Sequence, residues 1–143
     1  MVIPNMVLRA LRHEPILVYG DGEQSRCFSA VSDVVRGAML LADTPETAGE
    51  ICNIGTDEEI TVGQLAARVR DKCQSRSTIE CVPYEQIYGR SFEDMRRRVP
   101  DLRKIERFVG YRPRVSLDQL LESVVQGIQE EMGRPVPSKL ASS

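Results

Sequence analysis

The clearest structural signal in this chain lies in residues 16–22, which read ILVYGDG. Four consecutive apolar residues followed by Gly-Asp-Gly predict a short buried strand from Ile16 to Tyr19 and a tight turn from Gly20 to Gly22. On the amino-terminal side, Pro4 suits a first helical turn, and apolar residues at helical spacing predict a helix that ends before Pro15. The predicted fold therefore begins with a helix and a buried strand.

Short strands and helices continue to alternate after this turn. Residues 27–31 are predicted to be extended, and Ser32 is the predicted N-cap of a helix. A further strand is predicted from Ile51 to Gly55, and Thr61 has the capping-box spacing to Gln64 that opens the next helix. The helix after Ser32 is expected to bury an apolar face made of Val34, Val35, Ala38 and Leu41.

The last part of the chain contains one long irregular segment. A strand is predicted from Thr78 to Pro83, and residues 84–100 are expected to form a polar loop of the kind that often carries function. Asp101 is the predicted N-cap of a helix that ends at Gly110, and a capping box at Ser116 opens the final helix. The tail 134–143 is expected to be flexible, which leaves a predicted domain of residues 1–133.

Length and composition restrict the classes of protein. The chain has 143 residues, of which 41% are hydrophobic and 28% charged, values typical of one globular domain. A net charge of −2 gives no reason to expect nucleic acid as a partner, and no apolar run is long enough to span a membrane. No signal-peptide pattern opens the sequence, so a cytoplasmic location is expected.

The cysteines and the histidine do not predict a metal site or a disulfide. The 4 cysteines are far apart and form no C-x-x-C pair, and His13 is the single histidine. They are therefore interpreted as reduced thiols, most of them small core residues on strands. These cysteines are Cys27, Cys52, Cys73 and Cys81.

The order of elements predicts an α/β fold, or an α+β-like fragment, with few short strands and about five helices. Parallel strands need neighbouring strands and a covering layer on each face of the sheet. Because the predicted strands are few and isolated, a larger sheet is expected to lie outside this chain.

Three polar features are candidates for ligand binding, and each has a structural alternative. Arg26 follows the glycine turn, where its guanidinium could reach a phosphate or lie in solvent. Asn53 lies within an apolar segment and is expected to be buried and bonded to the backbone or to a ligand. The run Arg96 to Arg98 could form an anion site or a solvated face with local ion pairs.

The sequence contains no motif for catalysis or for binding a dinucleotide. The turn from Gly20 to Gly22 lacks the third glycine of a dinucleotide loop, since position 25 is serine, and no helix is predicted directly after it. There is no Walker loop either. The residues alone therefore predict an α/β domain with a candidate phosphate-facing surface.

Four segments stand in a recognisable order. They are Val2-Ile3-Pro4-Asn5 leading into residues 14–28, Val31-Ser32-Asp33-Val34, Cys52-Asn53-Ile54-Gly55, and residues 96–101 with Gly110-Tyr111-Arg112-Pro113. Together they resemble the carboxy-terminal half of the extended short-chain dehydrogenases/reductases, the NAD-dependent nucleotide-sugar epimerases and dehydratases. The resemblance runs from Val2 to Met132 and implies a substrate-binding domain without the Rossmann half.

The resemblance implies that particular residues bind a nucleotide-diphosphate sugar, either a UDP- or a dTDP-sugar. Arg26 and Arg97 would hold the diphosphate, because two planar guanidiniums can give a pyrophosphate charge-assisted hydrogen bonds. Asn53 would lie at the same site. The residues that would line the pocket for the base are Ile3, Pro4, Leu17 and Tyr19.

The same resemblance implies that this chain alone is not an active enzyme. Family members bind NAD on an amino-terminal Rossmann domain and use a catalytic Tyr-x-x-x-Lys, and neither the glycine-rich loop nor this motif occurs here. No catalytic residue, metal or cofactor is therefore assigned to the chain, and NAD is expected only in full-length family members.

Three classes of function are compared. The leading one is the nucleotide-sugar-binding portion of a UDP-glucose 4-epimerase-like enzyme, with a UDP-glucuronate decarboxylase or a dTDP-glucose dehydratase as alternatives. The second is a non-catalytic interaction or assembly protein, whose apolar surfaces would be covered by homo-oligomerisation or by a separate Rossmann half. An enzyme of another chemistry is not favoured, because no clustered carboxylate pair forms a recognisable motif.

Overall fold

Helices and short strands alternate along the residues that the computed structural model describes, which are residues 2–88 and 94–133. Within these ranges the elements are, in chain order, α1 (Val2–Leu11), β1 (Ile16–Tyr19), β2 (Ser25–Cys27), α2 (Val31–Ala42), β3 (Glu59–Thr61), α3 (Val62–Lys72), β4 (Ile79–Val82), α4 (Tyr84–Tyr88), β5 (Arg97–Arg98), α5 (Arg103–Val109) and α6 (Leu117–Glu131). A 3₁₀ turn from Pro45 to Thr47 follows α2. The predicted tail 134–143 lies outside the described residues.

The chain forms two compact units, each built from segments that are not consecutive. Among the described residues, the first unit comprises 2–24, 61–88, 94–96 and 121–133, and the second comprises 25–60 and 97–120. Helices and strands occur in both, and the α/β class predicted from the sequence is confirmed.

A parallel strand pair and two helices make the core of the first unit. β1 pairs with β4 in parallel, in a register that joins Ile16 to Ile79 and Tyr19 to Val82. α1 and α3 both pack against β1. The side chains that are 0% exposed in this core include Val7, Ile16, Val18, Leu65 and Val69.

Local sequence signals are confirmed where they depend only on nearby residues. The capping box at the start of α3 is complete: the Thr61 hydroxyl accepts from the Gln64 N–H, and the Gln64 side chain accepts from the Thr61 N–H, both at 3.2 Å. Gly110 ends α5 in the left-handed region, at φ 63°, as a C-terminal glycine should. The strand from Ile16 to Tyr19 is also confirmed.

The second unit contains a small sheet and the helix α2, which packs on Tyr111. The strand order is β3-β2-β5, and β2 pairs with β5 in parallel. Tyr111 is 1% exposed, and its hydroxyl donates to the Gly55 carbonyl at 2.8 Å. The guanidinium of Arg36 lies over its ring at 5.0 Å from the centroid.

The predicted orientation of α2 is wrong. Val35 and Val34, expected to be buried, are 51% and 37% exposed, whereas Asp33 is 3% exposed and Gly37 is buried. The reason is a set of donors around the Asp33 carboxylate, which turns this face of the helix inward. The helix also begins earlier than predicted, with Ala30 rather than Ser32 as its N-cap.

The strand predicted from Ile51 to Gly55 is not formed. These residues belong to no strand ladder among the described residues, because no neighbouring strand is available to them there. Asn53, predicted to be buried, is exposed. Of the residues 27–31 predicted to be extended, only Cys27 lies in a strand, and α2 already starts at Val31.

The long loop predicted at residues 84–100 contains regular structure. α4 occupies its start and β5 lies near its end, while residues 89–93 fall outside the described part. The following helix starts at Arg103, and Leu102 rather than Asp101 is its N-cap. No helix in the described ranges has the length and apolar character needed to cross a membrane.

The buried carboxylate of Asp33 has three hydrogen-bond donors. Arg36 donates to Oδ1 at 2.7 Å, and the backbone N–H groups of Arg114 and Val115 donate to Oδ2 at 2.9 Å. Burial raises the pKa of Asp33, but the bonds from Arg36 and from the two N–H groups outweigh it, so the pKa lies below its ordinary 3.8. The carboxylate form is therefore stabilised by folding.

We expect Asp33→Asn to lower the free energy of unfolding by about 2 kcal/mol at neutral pH, since hydrogen bonds to a charged acceptor are lost. The stabilisation by Asp33 is fully present above its unfolded pKa of 3.8 and is lost as pH falls through the lower pKa of the folded chain. Urea unfolding of the wild type and the variant at several pH values measures this difference. Asp43→Asn, at the exposed end of α2, is the control. Equal free energies of unfolding for the wild type and Asp33→Asn at pH 7 would show that the Asp33 carboxylate does not stabilise the fold.

Candidate functional site

The residues predicted to bind a ligand fall into both units. Those in the first unit are Ile3, Pro4, Leu17 and Tyr19, and those in the second unit are Arg26, Asn53 and Arg97. Each group has its own surroundings within its unit.

In the first unit, Leu17 and Tyr19 share one face of β1. Side chains alternate along a strand, and here Ile16 and Val18 are buried, whereas Leu17 is half-buried and Tyr19 is exposed. The face of Leu17 and Tyr19 is therefore the one available to a ligand. Ile3, by contrast, is only 6% exposed and belongs to the core side of α1.

A polar network holds the turn after β1 against the start of α4. The Gln24 amide donates to the Tyr19 carbonyl at 2.6 Å and to the Tyr84 hydroxyl at 2.9 Å, and that hydroxyl donates to Asp94 at 2.8 Å. Gly20 lies so close to the Tyr84 ring that an added Cβ would be 2.5 Å from Cε2. Position 20 therefore requires glycine for space as well as for its φ of 81°.

This network was not predicted from the sequence. Gln24, Tyr84 and Asp94 carried no motif, although two of them lie in the segment 84–100 for which a functional role was expected. No local sequence pattern marks these three residues as a group, because their contacts depend on the tertiary fold.

Arg96, the first residue of the arginine run, pairs with Asp21 in the glycine turn. The two side chains are 2.6 Å apart and are 75% and 51% exposed. The Glu23 N–H, followed by the Arg96 guanidinium, holds the pKa of Asp21 below its ordinary 3.8. An ion pair this exposed contributes little to the stability of the unit.

In the second unit, the register of β2 and β5 assigns the other two arginines to different faces. The parallel pairing sets Ser25 opposite Arg97 and Arg26 opposite Arg98. Partners in adjacent parallel strands point to the same face, and successive residues point to opposite faces. Arg26 and Arg98 therefore share one face, and Ser25 and Arg97 share the other.

The contacts of Glu59 agree with this assignment. Arg97 donates to both carboxylate oxygens of Glu59, at 3.0 Å from Nε and 2.9 Å from Nη2, and the Ser25 hydroxyl donates to the same carboxylate. The bond from Arg97, followed by that from Ser25, holds the pKa of Glu59 below its ordinary 4.5. The charge of Arg97 is thus balanced inside the unit.

Arg26 and Arg98 lie on the face without that carboxylate. Arg26 donates to the Ser25 carbonyl at 2.7 Å and is half-buried. Arg98 is exposed, and the described residues include no carboxylate paired with it. Two guanidiniums on neighbouring strands, about 4.8 Å apart at the backbone, make this face suited to an anion with more than one negative charge.

Asn53 is bonded to the protein backbone, and its predicted place at the ligand site stays a prediction. Its amide donates to the backbone carbonyl of Asp101 at 3.3 Å, which connects the segment 51–55 to the residues before α5. The described residues contain no group of three or more His, Cys, Asp or Glu side chains arranged for a metal ion. Burial raises the pKa of Cys73 to about 11, so this thiol is protonated at neutral pH.

Comparison with known proteins identifies relatives of this chain along nearly its whole length. The family model described as GDP-mannose 4,6 dehydratase matches residues 1–124. The UDP-N-acetyl-alpha-D-glucosaminuronate decarboxylase of Bacillus cytotoxicus is 37% identical over 129 residues, which are 90% of this chain and 40% of that protein.

Two solved structures have the same fold over the matched region. An epimerase of Methanothermobacter thermautotrophicus superposes with a TM-score of 0.84 at 27% identity, covering 93% of this chain and 38% of that one. The UDP-glucose 4-epimerase of Thermotoga maritima, solved with UDP-glucose, superposes with a TM-score of 0.81 at 28% identity, covering 92% and 40%. The chain thus spans about 40% of the length of these relatives.

We expect Arg97→Gln to raise the pKa of the Glu59 carboxyl toward 4.5, because the main contact that lowers it is removed. Arg98→Gln is the matched control and should leave this pKa unchanged, since Arg98 lies on the opposite face of β5. Carboxyl-carbon NMR titration of both variants makes the measurement. A rise in Arg98→Gln without one in Arg97→Gln would show that the assignment of faces is wrong.

Proposed function

Because this chain belongs to the extended short-chain dehydrogenase/reductase family of NAD-dependent nucleotide-sugar epimerases and dehydratases, we propose that it is the part of such an enzyme that binds the nucleotide-diphosphate sugar. Two of the relatives named above, a decarboxylase and an epimerase, are each named after a UDP-linked sugar. A UDP-sugar is therefore the proposed ligand class. Lyase and isomerase activities, a cytoplasmic location and a homo-oligomeric state stay predictions.

The observation that carries this proposal is that Arg26 and Arg98 occupy opposite positions in the paired strands β2 and β5, on the same face. A diphosphate has adjacent negative charges, and two neighbouring guanidiniums provide both charge and planar pairs of N–H donors. The position of these two arginines therefore supports diphosphate binding on this face of β2 and β5.

Arg97 was predicted for this role from the sequence, and its contribution stays a prediction. Its guanidinium is bidentate on Glu59, so it would have to leave that carboxylate to reach a phosphate. Arg98 needs no such exchange. The base pocket predicted around Ile3, Pro4, Leu17 and Tyr19 stays a prediction as well.

NAD, which the family uses, does not fit the glycine turn of this chain. The Tyr84 ring occupies the space beside Gly20, and Asp21 is paired with Arg96. The turn also leads into the strand β2, whereas a dinucleotide loop opens a helix whose N–H groups receive the pyrophosphate. No redox step is therefore assigned to residues of this chain.

A second candidate function, assembly without ligand binding, is favoured by one observation. Several apolar side chains of α2 are exposed, including Val31 at 77% and Met39 at 61%. Such a surface indicates a partner. Ligand binding distinguishes the two functions, because a pure assembly protein has no reason to retain affinity for UDP.

Calorimetric titration with UDP, UDP-glucose and dTDP-glucose tests the proposal, with NAD as the negative control. We expect saturable binding of the UDP ligands, and Arg26→Ala and Arg98→Ala should each weaken it by about tenfold or more, as expected for the loss of a charge-assisted contact. Arg103→Ala, whose side chain is 89% exposed and paired with Asp101, is the control.

Arg97→Ala decides between the two neighbouring arginines. A loss of UDP affinity equal to that of Arg98→Ala would mean that both arginines hold the diphosphate. A loss in Arg97→Ala alone would support Arg97, the arginine predicted from the sequence. Absence of UDP binding by the folded wild type would overturn the proposed function of the chain as it stands.

A further inference from the structure

The three strands of the second unit are connected at one carboxylate. Each strand contributes its first residue, which is Ser25 in β2, Glu59 in β3 and Arg97 in β5. Arg97 donates to both carboxylate oxygens of Glu59, from Nε at 3.0 Å and from Nη2 at 2.9 Å, and the Ser25 hydroxyl donates to the same carboxylate. We call these three side chains the Glu59 clamp. The clamp spans the whole sheet, whose strand order is β3-β2-β5.

The strand β5 is too short to fix its own position beside β2. It has two residues, Arg97 and Arg98, and both are exposed. Strands in globular proteins usually have at least about three residues. A strand that is polar on both faces can also slip, since no buried side chain selects its register. The position of β5 therefore needs contacts from side chains.

Slippage of β5 by one residue would change the anion site on the opposite face. In one direction Arg98 would come to Glu59 in place of Arg97, and Val99 would then lie opposite Arg26. The face of Arg26 would thereby lose one of its two cations. The observed register, with Arg97 on Glu59, keeps both of them there.

Slippage in the other direction is opposed by an ion pair within the first unit. It would bring Arg96 to Glu59, but Arg96 is paired with Asp21 at 2.6 Å. The first two arginines of the run thus have one carboxylate each, and the described residues supply none to the third. Asp21 and Glu59 together leave Arg98 as the arginine available to an anion.

We propose that Glu59 is a positioning residue for the anion site, because by holding Arg97 it keeps Arg98 in place. Ser25 supports the same role as the second donor to the Glu59 carboxylate. Neither Glu59 nor Ser25 touches the ligand in this proposal, since the clamp lies on the face of the sheet opposite Arg26 and Arg98. The inference rests on the proposed binding of a nucleotide diphosphate and concerns how that site is held together.

The surroundings of the clamp favour positioning over ligand binding. Ser25 is 7% exposed, and the Glu59 side chain is about half as exposed as that of Arg97. The contacts from Arg97 and Ser25 hold the pKa of Glu59 below its ordinary 4.5, so the carboxylate is charged at neutral pH and would repel a diphosphate. A bidentate pair of arginine and carboxylate fixes the orientation of both groups.

The charge of Glu59 distinguishes positioning from simple electrostatics. Removing a negative charge near an anion site strengthens anion binding if charge alone matters. Freeing Arg97 from Glu59 would also add a cation that could reach the phosphates. If Glu59 acts through position, its neutralisation weakens binding instead, because Arg98 is no longer held. The two accounts therefore predict opposite changes in UDP affinity.

Calorimetric titration of Glu59→Gln with UDP tests the proposal, with Asp57→Asn as the matched control. Each substitution removes one carboxylate charge, and Asp57 is exposed and outside the clamp. We expect Glu59→Gln to weaken UDP binding about fivefold, which is less than the loss expected for Arg98→Ala. Ser25→Ala should change the affinity in the same direction, and Asp57→Asn should not weaken it.

A double-mutant cycle shows whether Glu59 acts through Arg98. In the Arg98→Ala background, Glu59→Gln should cause no further loss of UDP affinity, since the side chain that it positions is absent. A loss caused only by weaker folding would occur in both backgrounds. Urea unfolding of each variant measures that contribution.

Nuclear Overhauser contacts between β2 and β5 give a readout that needs no ligand. The register predicts contacts between the backbone protons of residues 25–26 and those of residues 97–98. We expect Glu59→Gln to weaken these contacts and Asp57→Asn to retain them. If the folded wild type binds no UDP and the contacts still respond to Glu59→Gln, the proposed function fails while the positioning of β5 by Glu59 is supported.

Three results would overturn the proposal. The first is tighter UDP binding by Glu59→Gln than by the wild type, because Glu59 would then act through charge or by withholding Arg97. The second is an equal loss of affinity from Glu59→Gln with and without Arg98. The third is a set of contacts between β2 and β5 that Glu59→Gln leaves unchanged.

Discussion

The buried carboxylate of Asp33 determines how the second unit is assembled. A carboxylate is costly to bury unless donors surround it, and here Arg36 and two backbone N–H groups of residues 114–115 provide them. These donors tie the start of α2 to the segment after Tyr111, and Arg36 covers the ring of that tyrosine. The two charged residues of the helix consequently face the unit, which leaves its valines on the outside.

The register of β2 and β5 has a comparable effect on charge. Because side chains alternate along a strand, shifting the pairing by one residue would exchange the faces of Arg97 and Arg98. In the observed register Glu59 neutralises Arg97 on one face, and the charges of Arg26 and Arg98 are brought together on the other. A two-residue strand thereby separates a structural ion pair from a candidate anion site.

The sequence predicts those parts of the fold that depend on neighbouring residues. The capping box of α3, the strand β1 and the glycine that ends α5 were all predicted correctly, since a few adjacent side chains determine each of them. The choice between Arg97 and Arg98 depends on a pairing with residues some 70 positions away, which a single sequence does not encode in a readable form. The environment of Tyr84 and Asp94 is non-local in the same way.

The two largest errors of the sequence-based prediction lie side by side in the fold. Val34 and Val35 were expected to be buried, and residues 51–55 were expected to form a strand. Hydrophobic periodicity reports whether a segment is suited to burial or pairing, but not whether the partner lies in the same chain. In both places the pattern is that of a buried segment, and the described residues of the second unit leave it uncovered. The buried Asp33 shows the converse, because a carboxylate that no periodicity would place in a core is buried there by donors from residues 114–115.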